Sequence, residues 1–217
     1  MPNADPPFDA RERAGLCDLF DSLGPDAPTI LDGWATKELL SHLLLREREP
    51  LAAPGMILPG PLARFTEHRT AAMAARHEFG WLVNRLRSGP PPGFFRLGCV
   101  RAYPSLNEFF VHHEDVRRAN GLGPRTDLAP DLDAALWRNV ERSCRFLSRR
   151  LHGVGLDVEW AGTRHRATAR AGDSTAVLSG APGELLLYVF GRPAVAEVEV
   201  RGPAPAVAAV RGCRFGM

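Results

Sequence analysis

The sequence predicts an α+β protein, in which an up-and-down four-helix bundle is followed by a small α+β domain. Three observations predict it. Apolar residues recur at helical spacing as far as Leu151, Gly/Pro clusters punctuate that pattern, and after Gly155 the period shortens to β-branched segments parted by turn residues. The helical domain is expected over residues 8–153 and the second over 156–217.

Leu16, Leu19, Phe20 and Leu23 fall at i, i+3, i+4 and i+7 and define a helix over 9–23, which Gly24-Pro25 ends. The next helix opens after Trp34, with Thr36 as N-cap and Glu38 in its first turn. It carries Leu39, Leu40, Leu43 and Leu44 and stops at Pro50. Ala52–Pro61 is rich in Pro and Gly and reads as loop, followed by one long helix over 62–87 that Gly89-Pro90-Pro91-Pro92-Gly93 breaks off. Another helix begins near Ser105 and ends at Asn120-Gly121. The last long one covers Asp131–Leu151, with Leu132, Leu136, Val140, Leu147 and Leu151 on its buried side. Bundles of this kind build metal sites from side chains on facing helices.

Beyond Gly155, strands are expected over 156–161, 164–171 and 175–179, with turns at Gly162-Thr163 and Gly172-Asp173. Pro182–Phe190 reads as a helix with Pro in its first turn, Val195–Val200 as a strand, and Pro203–Val210 as a short terminal helix.

Composition excludes several classes. Apolar content of 45%, charged content of 24% and a net charge of +2 are ordinary for a globular chain, and no basic block marks a nucleic-acid or membrane surface. No stretch approaches the ~20 apolar residues of a membrane span, and the first residues lack the pattern of a secretory signal. Cys17, Cys99, Cys144 and Cys213 are scattered without metal or disulfide spacing, so they read as reduced thiols of a cytoplasmic protein. There is no GxSxG, no P-loop, and no dinucleotide fingerprint after a strand.

One motif carries chemistry. Glu108-Phe109-Phe110-Val111-His112 puts a carboxylate and an imidazole one turn apart on a helix face, where they can grip one ion. His42, on the second helix, would complete the His₂Glu set that catalytic zinc sites favour. Ser105-Leu106-Asn107-Glu108 also fits a capping box, which would occupy Glu108 otherwise. At 3.6 residues per turn His112 lies about 40° from Glu108 and His113 about 140° away, so His113 faces a neighbour or solvent. Asp115 shares the His112 face and either holds that imidazole from behind or pairs with Arg117 or Arg118. His68, His77, His152 and His165 have no ligand-spaced partner.

Gly33-Trp34-Ala35-Thr36-Lys37-Glu38-Leu39-Leu40-Ser41-His42-Leu43 resembles the second-helix signature of the DinB-like metal-binding family, in its mycothiol-dependent maleylpyruvate isomerase branch. The run from Glu108 to Gly121 resembles that branch's Glu-x-x-x-His segment with its trailing Asp, and is similar to a metal-binding subgroup to which no reaction is attached. Gly183–Arg192 resembles the helix of its sterol-carrier-like C-terminal domain. The resemblance implies a DinB-like bundle and a divalent ion, usually zinc, held by His42, Glu108 and His112.

The function expected is a thiol-dependent, metal-assisted transferase or isomerase. Mycothiol or a related small thiol would be cosubstrate and a small electrophile the substrate, the metal stabilising the thiolate. Nucleic acid and membrane are not expected partners, and the chain is expected as a monomer or homodimer. Two alternatives stand beside it. One is a metal-dependent hydrolase using metal-bound water, with Asp115 or Glu114 as base; the other is a non-catalytic metal- or ligand-binding module.

Overall fold

Helix α1 (Phe8–Leu23) is followed by α2 (Thr36–Arg48), α3 (Pro61–Arg76) and α4 (Phe79–Arg87). A single turn, α5 (Gly98–Val100), leads through a wide π turn (Arg101–Ser105) into α6 (Leu106–Ala119). The computed structural model describes residues 7–49 and 61–216. The loop expected over Ala52–Pro61 lies outside them, save for Pro61 at the start of α3. The chain divides into two compact units between Arg125 and Thr126.

In the first unit, α1, α2, α4 and α6 share one apolar core. Leu16, Cys17 and Phe20 meet Leu39, Leu40, Leu43 and Leu44, with Leu82, Val83 and Leu86 from α4 and Phe109 and Val116 from α6. Burying each such leucine is worth about 1.5–3 kcal/mol over leaving it exposed. Helix α3 lies against α2.

Two local expectations are corrected here. Thr36 is not the N-cap of α2: Ala35 takes that place, Glu38 accepts the Ala35 N–H at 3.1 Å, and the Thr36 hydroxyl donates to Gly24 O instead. The long helix over 62–87 is two helices, broken at Glu78, whose backbone is extended. The apolar phase explains the break. Thr66, Thr70 and Ala74 form the buried stripe of α3, and an unbroken helix would bring Trp81 onto it, leaving Leu82 about 120° and Leu86 about 160° from its centre at Thr70. Interrupting the helix lets Leu82 and Leu86 reach the core fully buried while Trp81 stays half exposed. The helix carrying Glu108 begins at Leu106, beside the expected Ser105. It runs in through the π turn, where Pro104 has no N–H for the regular ladder and Leu106 N–H reaches Arg101 O, five residues back. Its other end is as expected, with Gly121 at φ 72° just past Asn120.

The second unit holds α7 (Pro130–Leu147), β1 (Gly155–Trp160), β2 (Arg166–Arg170), β3 (Thr175–Gly180), α8 (Pro182–Val189), β4 (Val198–Arg201) and α9 (Ala204–Gly212). The sheet order is β2-β1-β3-β4, with β1 and β3 parallel and both outer pairs antiparallel. Leu156 and Val158 pair with Ala176 and Leu178 on the buried face, while Asp157 and Glu159 on the other face bind Arg166 and Arg201. Helix α7 packs on α8 and on β2 and belongs to this second unit. Periodicity reveals that α7 has an apolar side but not which partner covers it. It also ends a turn early, at Leu147, although Leu151 is buried as expected.

Candidate metal centre

Helix α6 is buried on almost every side: from Ser105 to Val116 only Glu108 is more than marginally exposed. Such a helix is normally apolar all round, yet this one carries His112, His113, Glu114 and Asp115 in succession. Buried polar groups need partners, and each of these four has one.

His112 and Glu108 turn to α2. The Nε2 atoms of His42 and His112 lie 3.2 Å and 3.3 Å from the same oxygen, Oε1 of Glu108. One ligand atom from each of the three residues lies within 4.8 Å of the other two, so the group could hold a metal ion. The imidazole rings meet edge to face, their centroids 5.7 Å apart. Each of the three side chains keeps 10–15% of its surface exposed. Nδ1 of His112 donates to Oδ2 of Asp115 at 2.8 Å. That bond leaves Nε2 as the atom with a lone pair in the neutral ring, turned toward Glu108 and His42. Two imidazole nitrogens and one carboxylate oxygen, one imidazole held by a buried carboxylate, fit zinc.

Of the two roles open to Glu108, the capping box is not formed. Ser105 has helical backbone angles and makes no cap bond, and its hydroxyl is buried without a partner among the described residues. Glu108 Oε2 instead faces Arg46 Nε at 3.5 Å. The Arg46 guanidinium lies over the Phe95 ring at 5.0 Å and donates to Pro104 O at 3.3 Å. Arg46 escaped the sequence reading, although its signal was there: it sits four residues after His42, on the same face of α2. Trp34 packs on the His42 ring at 5.1 Å between centroids.

The charges follow from these contacts. Burial works to raise the Glu108 carboxyl, but the Arg46 charge and hydrogen bonds from both imidazoles hold it well below the usual carboxylate range. Burial also pushes His42 below the usual histidine range, despite Glu108. For His112 burial acts downward too, and is outweighed by the bonds to Asp115 and Glu108, so its pKa is raised.

His113 points elsewhere, to a buried neighbour. Its Nδ1 lies 3.1 Å from Glu12 Oε2 on α1, where Arg125 binds both oxygens of Glu12 at 2.9 Å. Glu114 accepts from Arg125 at 2.6 Å and from Arg118 at 2.9 Å. Both carboxylates named as general bases, Glu114 and Asp115, are therefore engaged. Phe109 lies under Arg13 and Phe110 under Arg125, which accounts for both rings. His68, His152 and His165 are exposed, and His77 stacks on Trp81. None of the four cysteines is disulfide-bonded or belongs to the His/Glu group, and burial pushes the Cys17 thiol up to about 12.

Among solved structures, the chain resembles the mycothiol-dependent maleylpyruvate isomerase and a histidine-to-alanine variant of that enzyme. Both crystal structures align at a TM-score of 0.59 over 92% of this chain and 92% of theirs, with 16% and 15% identity. At that identity the likeness establishes the fold. No protein-family model matches the sequence, and no curated protein matches it at a significant level. Among the described residues no helix is long and apolar enough to cross a membrane.

Proposed function

We propose that this chain binds one divalent ion, zinc, through His42, Glu108 and His112, and acts as a thiol-dependent transferase or isomerase on a small electrophile. The convergence of two imidazole nitrogens and one carboxylate oxygen within 4.8 Å, from helices far apart in sequence, carries this reading. The fold shared with a mycothiol-dependent isomerase adds the thiol. A divalent ion held there would supply Lewis acidity that keeps a bound sulfur in its nucleophilic thiolate form. The sulfur comes from outside the chain, since no cysteine belongs to the group. Mycothiol, or a thiol of its kind, is the cosubstrate we assign, in the reducing cytoplasm.

The chain's own residues prepare the site. Asp115 fixes the orientation of His112 and the nitrogen it presents. Glu108 is held ionised, and burial keeps His42 neutral. Trp34 packs against the His42 ring and limits its rotation. A hydrolytic reaction would need a general base to prepare water, and the two carboxylates beside the site are held by other partners.

Elemental analysis of protein purified without added metal or a His-tag, beside a Glu108→Ala variant, tests the metal. About one equivalent, lost in the variant, is expected for a site of this ligand count. A well-folded protein that carries no metal and refuses added zinc overturns the reading. Metal-dependent consumption of mycothiol with an electrophile tests the reaction. Bound metal with no turnover across a panel of electrophiles would leave a binding module instead.

A further inference from the structure

The two oxygens of Glu108 face different partners. Oε1 lies against both imidazoles, and Oε2 lies 3.5 Å from Arg46 Nε. A carboxylate can bind a metal through one oxygen or both. Two histidines and a single oxygen leave a four-coordinate ion one free position, and a glutamate bound through both oxygens would crowd it.

Arg46 is poorly explained as a stabilising residue. Its contacts are long, 3.5 Å to Glu108 and 3.3 Å to Pro104 O, and its Nη1 is buried with no partner among the described residues. Such an arrangement lowers stability rather than raising it. A fixed positive charge beside a ligand also repels a cation, so a protein built only to bind metal would lose by keeping it. The guanidinium is nonetheless held in place, over the ring of Phe95 and against the carbonyl of Pro104 in the π turn.

We infer that Arg46 is a positioning residue: it holds Oε2 of Glu108 so that the carboxylate binds the ion through Oε1 alone and a position stays open for the thiol. This rests on the metal-binding reading above. It carries a signature that a structural role would not produce. Removing Arg46 strengthens metal binding, through lost repulsion and a second carboxylate oxygen, while it weakens thiol binding. A damaged fold would weaken both.

Cobalt(II) loaded into the full chain is the probe, with 2-mercaptoethanol as the thiol, in the wild type, Arg46→Met and Arg46→Lys. In Arg46→Met we expect cobalt to bind about tenfold tighter. Its visible absorption should weaken as coordination number rises, and the thiolate-to-cobalt charge-transfer band should need about tenfold more thiol. Arg46→Lys, which keeps the charge, should return toward wild-type cobalt affinity. The inference is overturned if Arg46→Met loses cobalt and thiol affinity together, or if its spectrum and thiol titration match the wild type. If the wild type itself takes up no cobalt, the metal-binding reading falls and this inference with it. Wild-type binding of cobalt and thiol, with no effect of Arg46→Met, removes only the role of Arg46.

Discussion

His112 and Asp115, three residues apart on α6, are joined by a 2.8 Å hydrogen bond from Nδ1 to Oδ2, and Asp115 is fully buried. The bond decides which imidazole nitrogen faces Glu108 and His42. In Asp115→Asn the side chain keeps its shape but can offer an N–H to Nδ1, which would move the ring proton to Nε2 and block it as a ligand. We expect zinc affinity to fall about 10–100-fold, the range for removing such a partner, when measured by competition with a chelator. Unchanged affinity would show that Asp115 does not orient the ring.

The two histidines titrate in opposite directions in the metal-free protein. His112 has a raised pKa, so its stabilising contribution is full below the unfolded value and is lost as pH rises through the folded one. His42 has a lowered pKa, so its contribution is present above the unfolded value and is lost as pH falls through the folded one. These trends oppose each other in metal-free stability. Zinc needs both rings neutral, so protons compete with it at both, and at His112 from above the usual histidine range. Glu108 stays ionised across this window. The rise in Tm produced by zinc should therefore grow steadily from about pH 5 to about pH 8 in thermal melts. A zinc-induced shift independent of pH would contradict the ligand set.

Neighbouring histidines should separate cleanly. His112→Ala is expected to abolish metal binding, whereas His113→Ala should leave its stoichiometry intact, because His113 faces Glu12 on α1. Gly15 supplies an independent check. A Cβ there would lie 3.0 Å from His113 Cε1, and the ring is tethered by Glu12. Gly15→Ala should destabilise the wild type by about 1 kcal/mol, as overpacking exceeds the helix-propensity gain. In a His113→Ala background the same change should stabilise. Equal effects in both backgrounds, read from urea denaturation, would reject the contact.

Arg13 and Glu47 form a buried ion pair between α1 and α2, with contacts of 2.7 and 2.5 Å and side chains only 5% and 1% exposed. Glu47→Leu strands the arginine charge and should cost about 3–5 kcal/mol. The pair Arg13→Met with Glu47→Leu should cost less than Glu47→Leu alone, because no charge is left buried. A double variant as unstable as the sum of the single ones would mean that the two sites act independently.

Much of this was legible in the chain. The strands, the turn at Gly162-Thr163 and the helix after Pro182 follow from local pattern and turn chemistry, and they lie within a few residues of expectation. The Glu108–His112 spacing carries its own geometry, since residues four apart on a helix share a face wherever that helix goes. Other features depend on what each element packs against. The break at Glu78 arises because two buried stripes cannot both turn inward on one straight helix, and α7 joins the sheet because α8 and β2 offer it an apolar surface. Local pattern thus determined the elements, the ExxxH pair and the face on which Asp115 lies. Only the tertiary structure brought His42 to Glu108, set Arg46 behind the carboxylate and turned His113 to Glu12, because a helix's sequence specifies its apolar face but not the partner that covers it.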